Sequence, residues 1–383
     1  MQLTKYKLGD LIVQRREKNK DYDLPIRGVS REGFIKPKVE EADTSIYNVF
    51  YKNDFVFNPA RMELNSIALN LDFDKALCSS LYEVFYVKDE NVVLPEFLNL
   101  HIKRDEFARH CDYIGLGSAR EYCRFANIAE FDIKIPPIEF QREIVQADRQ
   151  IKRRIRLNEQ MIEKLEATAQ ALYRKMFVDG IDKENLPEGW LSAVLGDYCE
   201  VITKGTTPTN YDEKGNVKFV KAETITINHS IDSSLFAHID EDTHNKDLKR
   251  SILREDDLLF TIAGTLGKFC IVDKSILPAN TNQAVAIIRV DKTRISPIDI
   301  YAMFIGGIQE DYCKRNVQQA VQANLSLETI SNMPIVIPPY ELLVVFHEQV
   351  STIFHSIQLH QQESSKLSEL QSLLLAKMGN LKQ

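Results

Sequence analysis

Two halves of this chain carry the same anchors in the same order. Ile135-Pro136-Pro137-Ile138-Glu139-Phe140 is echoed by Ile337-Pro338-Pro339-Tyr340-Glu341-Leu342. Each Pro-Pro opens a long proline-free segment, and the two segments align without a gap. Ile151 matches Ile353, Ile155 matches Ile357, Leu157 matches Leu359, Lys164-Leu165 matches Lys366-Leu367, and Lys175-Met176 matches Lys377-Met378. Upstream, Leu8-Gly9-Asp10 recurs as Leu195-Gly196-Asp197. Asp54-Phe55-Val56-Phe57 with Ala60 recurs as Asp257-Leu258-Leu259-Phe260 with Ala263. Chance does not preserve the order of so many matches, so the fold must be one plan built twice.

Each repeat is a globular part followed by a helix. Short β-like runs at 81–87 and 284–290 are bounded by turn residues, while 95–110 and 297–314 look helical, so a mixed α/β domain fits. The polar stretch 178–189, punctuated by Gly and Pro, reads as a linker. In the first proline-free segment Ile151, Ile155, Asn158, Ile162, Leu165, Ala169, Leu172 and Met176 alternate at four and three residues, a heptad seam. Pro-Pro sets its start, and about 35 residues would span roughly 50 Å. The second keeps Ile353, Ile357, Leu367, Leu374 and Met378 but places His360, Ser364 and Gln371 on the seam. Each such helix wants a partner. Packing on its own domain is one option; two similar helices in one chain favour pairing with each other, antiparallel. The expected register sets Ile155 against Leu374, Ile162 against Leu367, Leu172 against Ile357 and Asn158 against Gln371. The fold class is thus α+β: two mixed α/β domains separated by two long helices in an antiparallel coiled coil, with an internal pseudo-twofold repeat. The boundaries are 1–139, a helix over 140–178, 179–341, and a helix over 342–379.

A composition of 44% hydrophobic and 27% charged residues is globular. The first ten residues lack the apolar core of a secretory signal, and the apolar runs at 342–346 and 373–376 are too short to cross a bilayer. Six scattered cysteines read as reduced thiols in a cytoplasmic protein. A net charge of −7 argues at first against a nucleic-acid partner. Net charge, however, governs solubility and long-range attraction rather than one face.

No catalytic or metal motif survives inspection. Gly264-Thr265-Leu266-Gly267-Lys268 has the wrong spacing for a phosphate loop, and Phe269 stands where a magnesium-binding hydroxyl belongs. Asn58-Pro59-Ala60-Arg61 lacks the second proline and aromatic of an adenine-methyltransferase motif; it reads as a turn after a strand. His347, His355 and His360 are spaced by eight and five, which puts no two on one helix face. Asp212-Glu213-Lys214 sits in a polar turn. Candidate DNA contacts are softer. Lys204-Gly205-Thr206-Thr207-Pro208 is a basic, hydroxyl-rich turn whose backbone N–H groups could hold a phosphate. Arg120, Tyr122 and Arg124 precede the first Pro-Pro; Lys314, Arg315, Gln318, Gln319 and Gln322 occupy the corresponding stretch of the second repeat. Arg and Gln pair in bidentate fashion with guanine and adenine edges. Arg61 and Lys268 are counted with them. The run 149–156 (RQIKRRIR) stays open between a solvated flank, a phosphate contact and a docking face.

Taken together, IPPIEFQREI at 135–144, EGWLSAVLGD at 188–197, ITKGTTP at 202–208, DDLLFTIAGTLGK at 256–268, NTNQAVAII at 280–288 and LQSLLLAKM at 370–378 resemble the type I restriction-modification specificity subunit family over essentially the whole chain. The resemblance implies two target-recognition domains, each reading half of a bipartite site in double-stranded DNA. It implies two helices that pair as a spacer and dock two adenine-methyltransferase subunits, with ATP-driven restriction subunits joining. S-adenosylmethionine, ATP and magnesium would then be bound by those partners, with no cofactor on this chain. The sequence departs from the pattern in two places: the first repeat has no counterpart of 204–208, and Leu343-Val344-Val345 stands where the first has Gln141-Arg142-Glu143. An enzyme with degenerate motifs and an adaptor that merely joins partners are the competing classes.

Overall fold

The computed structural model describes residues 3–20, 24–31, 33–37, 43–115, 122–182, 184–316 and 324–379. They form two compact units, Met1–Arg153 with Ser368–Gln383, and Arg154–Leu367. The first unit runs β1 (Thr4–Lys7), α1 (Leu8–Leu11), β2 (Ile12–Arg15), β3 (Gly28–Val29), β4 (Phe34–Ile35), β5 (Asn48–Tyr51), β6 (Phe55–Phe57), β7 (Ile67–Leu69), β8 (Lys75–Cys78) and β9 (Glu83–Val87). Then come α2 (Pro95–Ile102), α3 (Asp105–Gly115), α4 (Phe125–Ala129), β10 (Asp132–Ile135) and the start of α5 (Ile138–Phe177). Its main sheet is antiparallel in the order β2-β9-β6-β7, and β1 pairs with β10. Phe55, Phe57, Phe85, Phe97 and Phe107 are buried between this sheet and the helices.

The second unit repeats the plan with β11 (Leu191–Val194), β12 (Cys199–Lys204), β13 (Val217–Val220), β14 (Ala237–Ile239), β15 (Leu258–Thr261), β16 (Phe269–Ile271), β17 (Ala279–Thr281) and β18 (Val285–Val290). They are followed by α6 (Pro297–Ile305), α7 (Ile308–Asn316), α8 (Leu327–Ser331), β19 (Pro334–Ile337) and α9 (Tyr340–Gly379). Its main sheet is β12-β18-β15-β16, the same order and sense as in the first unit, and β11 pairs with β19 as β1 does with β10. A further sheet, β14-β13-β17, is added here. The stretches 95–110 and 297–314 each break into two helices, the second at Gly306-Gly307. A Cβ on Gly306 would collide with the Tyr173 ring, and Gly307 takes φ +89°, the left-handed region that favours glycine.

The repeated Asp-strand anchors have a structural cause. Asp54 closes the turn before β6: its backbone N–H donates to the Tyr51 carbonyl, and its carboxylate accepts from the Tyr51 N–H at 2.7 Å. Asp257 does the same with Arg254 ahead of β15, at 2.8 Å for the side-chain bond. Each carboxylate is buried and needs a cation, and the repeats supply it from different strands. Arg15 on β2 grips Asp54 through Nε (2.7 Å) and Nη2 (3.1 Å), its guanidinium lying against the Tyr51 and Tyr86 rings. Arg289 on β18 grips Asp257 through Nε and Nη2, both 2.7 Å. Burial pushes the Asp54 carboxyl up, against the pull of Arg15.

The Pro-Pro pairs do mark the helix starts, since α5 begins at Ile138 and α9 at Tyr340. Within the second unit the two run antiparallel. Arg154 pairs with Glu363 at 2.8 Å, and Tyr173 and Phe177 pack on Phe346 with ring centroids 6.2 and 4.6 Å apart. Ile151, Asn158, Ile162 and Ala169 of the seam are buried. The expected register is not the one formed. Asn158, 1% exposed, donates to Ser364 Oγ (3.2 Å) and meets His360 Nδ1 (3.1 Å), while Gln371 donates to Asp148 in the first unit at 2.7 Å. Ile162 accordingly shares a core with Ile357, and Leu165 and Leu172 pack against that core. Leu374 packs on the core of the first unit; Ile155 and Leu367 are half-buried. The slide satisfies every polar seam residue and lets the aromatic wedge of Tyr173 and Phe177 close on Phe346. Ile162, Ala169 and Tyr173 also complete the second unit's core, so pairing and packing on the domain coexist.

One helix residue sits badly. Glu166 on α5 has Oε1 buried without a hydrogen-bond partner, and burial, with Glu163 adding to it, pushes its carboxyl up to about 7 from an ordinary 4.5. The folded state therefore holds this proton more tightly than the unfolded chain. The stability this provides is complete below about pH 4.5 and is lost as pH rises through about 7. Glu166→Gln is expected to flatten that slope and to exceed the wild type at pH 8 by at most about 3 kcal/mol. Urea titrations followed by Trp190, the chain's single tryptophan, check this; parallel curves for the two proteins would refute it.

Candidate functional site

In the first unit the turn after β6, the ends of β2 and β9, and the segment entering α4 enclose a cleft of about 320 Å³. Tyr122 and Arg124 line it, as does the Asn58-Pro59-Ala60 turn. Asn58 caps that turn by accepting from the Ala60 N–H at 3.1 Å, and Cys123 N–H donates to the Pro59 carbonyl, which ties the α4 entry to the turn. Arg61, one residue on, is exposed. Arg120 lies outside the described residues.

The centre of the cleft is a carboxylate. Glu83, 12% exposed at its side chain, accepts from Phe125 N–H (2.7 Å), Gln14 Nε2 (3.1 Å) and Arg124 Nη1 (3.4 Å). Gln14 in turn accepts from Arg16 Nε at 2.8 Å. The Arg124 guanidinium lies 5.5 Å from the Tyr122 ring, a cation–π distance. Lys18 is held by the Ile46 carbonyl and Asn48 Oδ1. Gln14, Arg16, Lys18 and Glu83 were missed by sequence reasoning. The only signal was period two: Gln14 on β2 and Arg16 just after it fall on one face, alternating with Val13 and Arg15.

In the second unit the turn at 204–208 is built differently from the expectation. Gly205 N–H donates to the Val285 carbonyl and Thr206 N–H to the Thr281 carbonyl, so these groups are already spent. A Cβ on Gly205 would drive into the Thr281 carbonyl, which is why glycine stands there. What the turn offers outward is side chains: exposed Lys204, Thr206 Oγ1 accepting from Arg250 Nη2 at 3.0 Å, and Thr207 bonded to Gln283. Lys268 is withdrawn from the candidate set. Its ammonium donates to the Ala222 carbonyl (3.1 Å) and the Ile225 carbonyl, which locks the β15–β16 turn onto the 222–225 segment. The segment joins the antiparallel strands β15 and β16, whereas a phosphate loop leads from a strand into a helix, so it is a turn. Lys314 is exposed and faces Glu310 at 3.8 Å, Arg315 is exposed beside it, and Gln318, Gln319 and Gln322 lie outside the described residues.

Among the described residues no cluster of three or more His, Cys, Asp or Glu could hold a metal, and no helix is long and apolar enough to cross a membrane.

A family model described as the type I restriction modification DNA specificity domain matches residues 3–167 and again 187–369. The chain is 23% identical over 301 residues to the type I restriction enzyme MjaIX specificity subunit of Methanocaldococcus jannaschii, covering 75% of this chain and 68% of that one. It is 22% identical over 382 residues to the type I restriction enzyme HindI specificity subunit of Haemophilus influenzae, covering 81% and 82%. Among solved structures, the S subunit of a type I restriction-modification system from M. genitalium superposes with a TM-score of 0.56 at 15% identity, over 98% of this chain and 96% of that chain. That likeness is one of fold.

Proposed function

The chain belongs to the type I restriction modification DNA specificity family, whose domain it carries twice, and from that premise we propose that it reads a bipartite DNA site without catalysing a reaction itself. The carrying observation is the duplicated sheet, β2-β9-β6-β7 in one unit and β12-β18-β15-β16 in the other, each feeding one of two paired helices. Two like domains read two half-sites, one each. The paired helices are the spacer and the docking platform for two methyltransferase subunits, with restriction subunits joining the complex in the cytoplasm. S-adenosylmethionine, ATP and magnesium belong to those partners. Expressed with its methyltransferase, the chain is expected to direct adenine modification to one two-part motif, read by sequencing modified bases. Modification of the same sites without this chain, or methylation or cleavage by the purified chain alone, would refute the proposal.

A further inference from the structure

The polar chain through the first unit's cleft is not part of the repeated plan, although Glu83 also takes the Phe125 N–H at the start of α4. The second unit makes the same sheet in the same order, and its counterparts can be read from the strand registers. Glu83 sits across from Phe57, and Ala286 sits across from the matching Phe260. Gln14 pairs with Phe85, and the matching Ile288 pairs with Ile202. Cys123 N–H bonds the Pro59 carbonyl as Leu325 N–H bonds that of Ile262, so Ser326 stands where Arg124 does. Ser326 there accepts from Thr329 N–H at 2.9 Å, an ordinary helix cap. Gln14, Glu83 and Arg124 are thus replaced by Ile202, Ala286 and Ser326. A half-buried carboxylate costs free energy to keep, and the sister domain folds without it.

What the network does is hold two guanidiniums in place. Each guanidinium has five N–H donors. Among the described residues Arg16 spends its Nε and Arg124 one Nη1 donor on the network, and both residues line the cleft. Such a fork is complemented by two acceptors in one plane, and DNA offers this as the O6/N7 edge of guanine or as phosphate oxygens. Glu83 decides between them. Its negative charge beside Arg124 weakens attraction for phosphate, while the bonds to Arg124 and, through Gln14, to Arg16 restrict both guanidiniums, which is what reading an edge requires.

We propose that Arg16 and Arg124 are base-reading residues of the first domain, each presenting a donor fork to a guanine edge, with Gln14 and Glu83 as positioning residues. The inference rests on the DNA-reading function above. It also implies that the two half-sites are read by different chemistry, since the second domain has Lys204 at the position of Arg16 and Ser326 at that of Arg124, and so no guanidinium fork at either.

The test uses the full chain co-expressed with its methyltransferase, with modified adenines mapped across a genome for the wild type and for Arg16→Ala, Arg124→Ala, Arg124→Lys and Glu83→Gln. Each Ala variant is expected to lower modification of the native motif by about 10- to 100-fold and to relax one guanine position in one half-site, leaving the other half unchanged. Arg124→Lys keeps the charge and loses the fork, so it should relax the same position. Glu83→Gln should broaden the preference at those positions, which a merely structural role would not do. A uniform fall across all sites with the motif intact and rescue by Lys would make these phosphate contacts and overturn the inference. So would an unchanged motif, or a half-site without guanine on either strand. A wild type that yields no two-part motif would instead remove the reading on which the inference rests.

Discussion

Asp257→Ala is expected to destabilise the second unit by about 3–5 kcal/mol, a large share of the roughly 5–15 kcal/mol that holds a domain together. The loss has two parts. Arg289, 16% exposed, is left as a charge without its carboxylate, and the Arg254 N–H loses its acceptor ahead of β15. Asp54→Ala should cost less. Arg15 is 25% exposed and lies on two tyrosine faces that keep some of its cation stabilised when the carboxylate is gone. The double variant Asp257→Leu with Arg289→Met should recover most of the loss, because replacing both members of a buried pair by apolar side chains removes the uncompensated charge. Denaturant midpoints followed through Trp190, which packs on the second unit's core, measure the first and third cases. An Asp257→Ala protein as stable as the wild type would show that the pair carries no structural role.

The same pair shows what the sequence could disclose. The repeated Asp followed by a strand was legible because both copies must close a turn in the same way. Its arginine was not: the two repeats draw it from neighbouring strands at non-equivalent positions, so no alignment of the halves lines Arg15 up with Arg289. The helices behave likewise. Pro-Pro fixed where they start, and the heptad seam named the residues that are buried, Ile162 and Asn158 among them. A seam, however, states which side of a helix faces its partner and not which residues meet. Sliding by whole or part heptads costs little apolar contact. The register was settled by Tyr173 and Phe177 on Phe346 and by His360, Ser364 and Asp148 taking the polar partners.

The candidate site was legible only in part for a related reason. Tyr122 and Arg124 were visible as a basic and aromatic pair, but Gln14 and Glu83 join them only through the sheet that brings β2, β9 and α4 together. The turn at 204–208 was found by composition and misjudged in its mechanism. Its N–H groups looked free in the sequence, whereas the carbonyls of Val285 and Thr281 consume those of Gly205 and Thr206. Lys268 failed in the same way, since a lysine beside a glycine turn carries no sign that backbone carbonyls are aimed at its ammonium.

Removing one heptad from both long helices, residues 155–161 together with 357–363, is expected to abolish modification at the native site. These segments face each other, as Arg154 with Glu363 and Asn158 with His360 show. Their joint loss leaves the Asp148–Gln371 and Tyr173–Phe346 contacts in place and does not slide one helix along the other. The pair becomes shorter by about 10 Å at 1.5 Å per residue. On DNA that is about three base pairs at roughly 3.4 Å each. Similar faces of a duplex recur only about every 10 base pairs, so half-sites at the native gap would no longer face their domains together. Any recovered activity should fall on sites whose central gap is shorter by about three base pairs, with both half-site sequences unchanged. Deleting 155–161 alone is the control: it breaks the register, and it should lose activity at every gap. Mapping modified adenines in cells carrying each variant separates these outcomes. Modification persisting at the native gap in the double deletion would show that the helices do not set the distance between the half-sites.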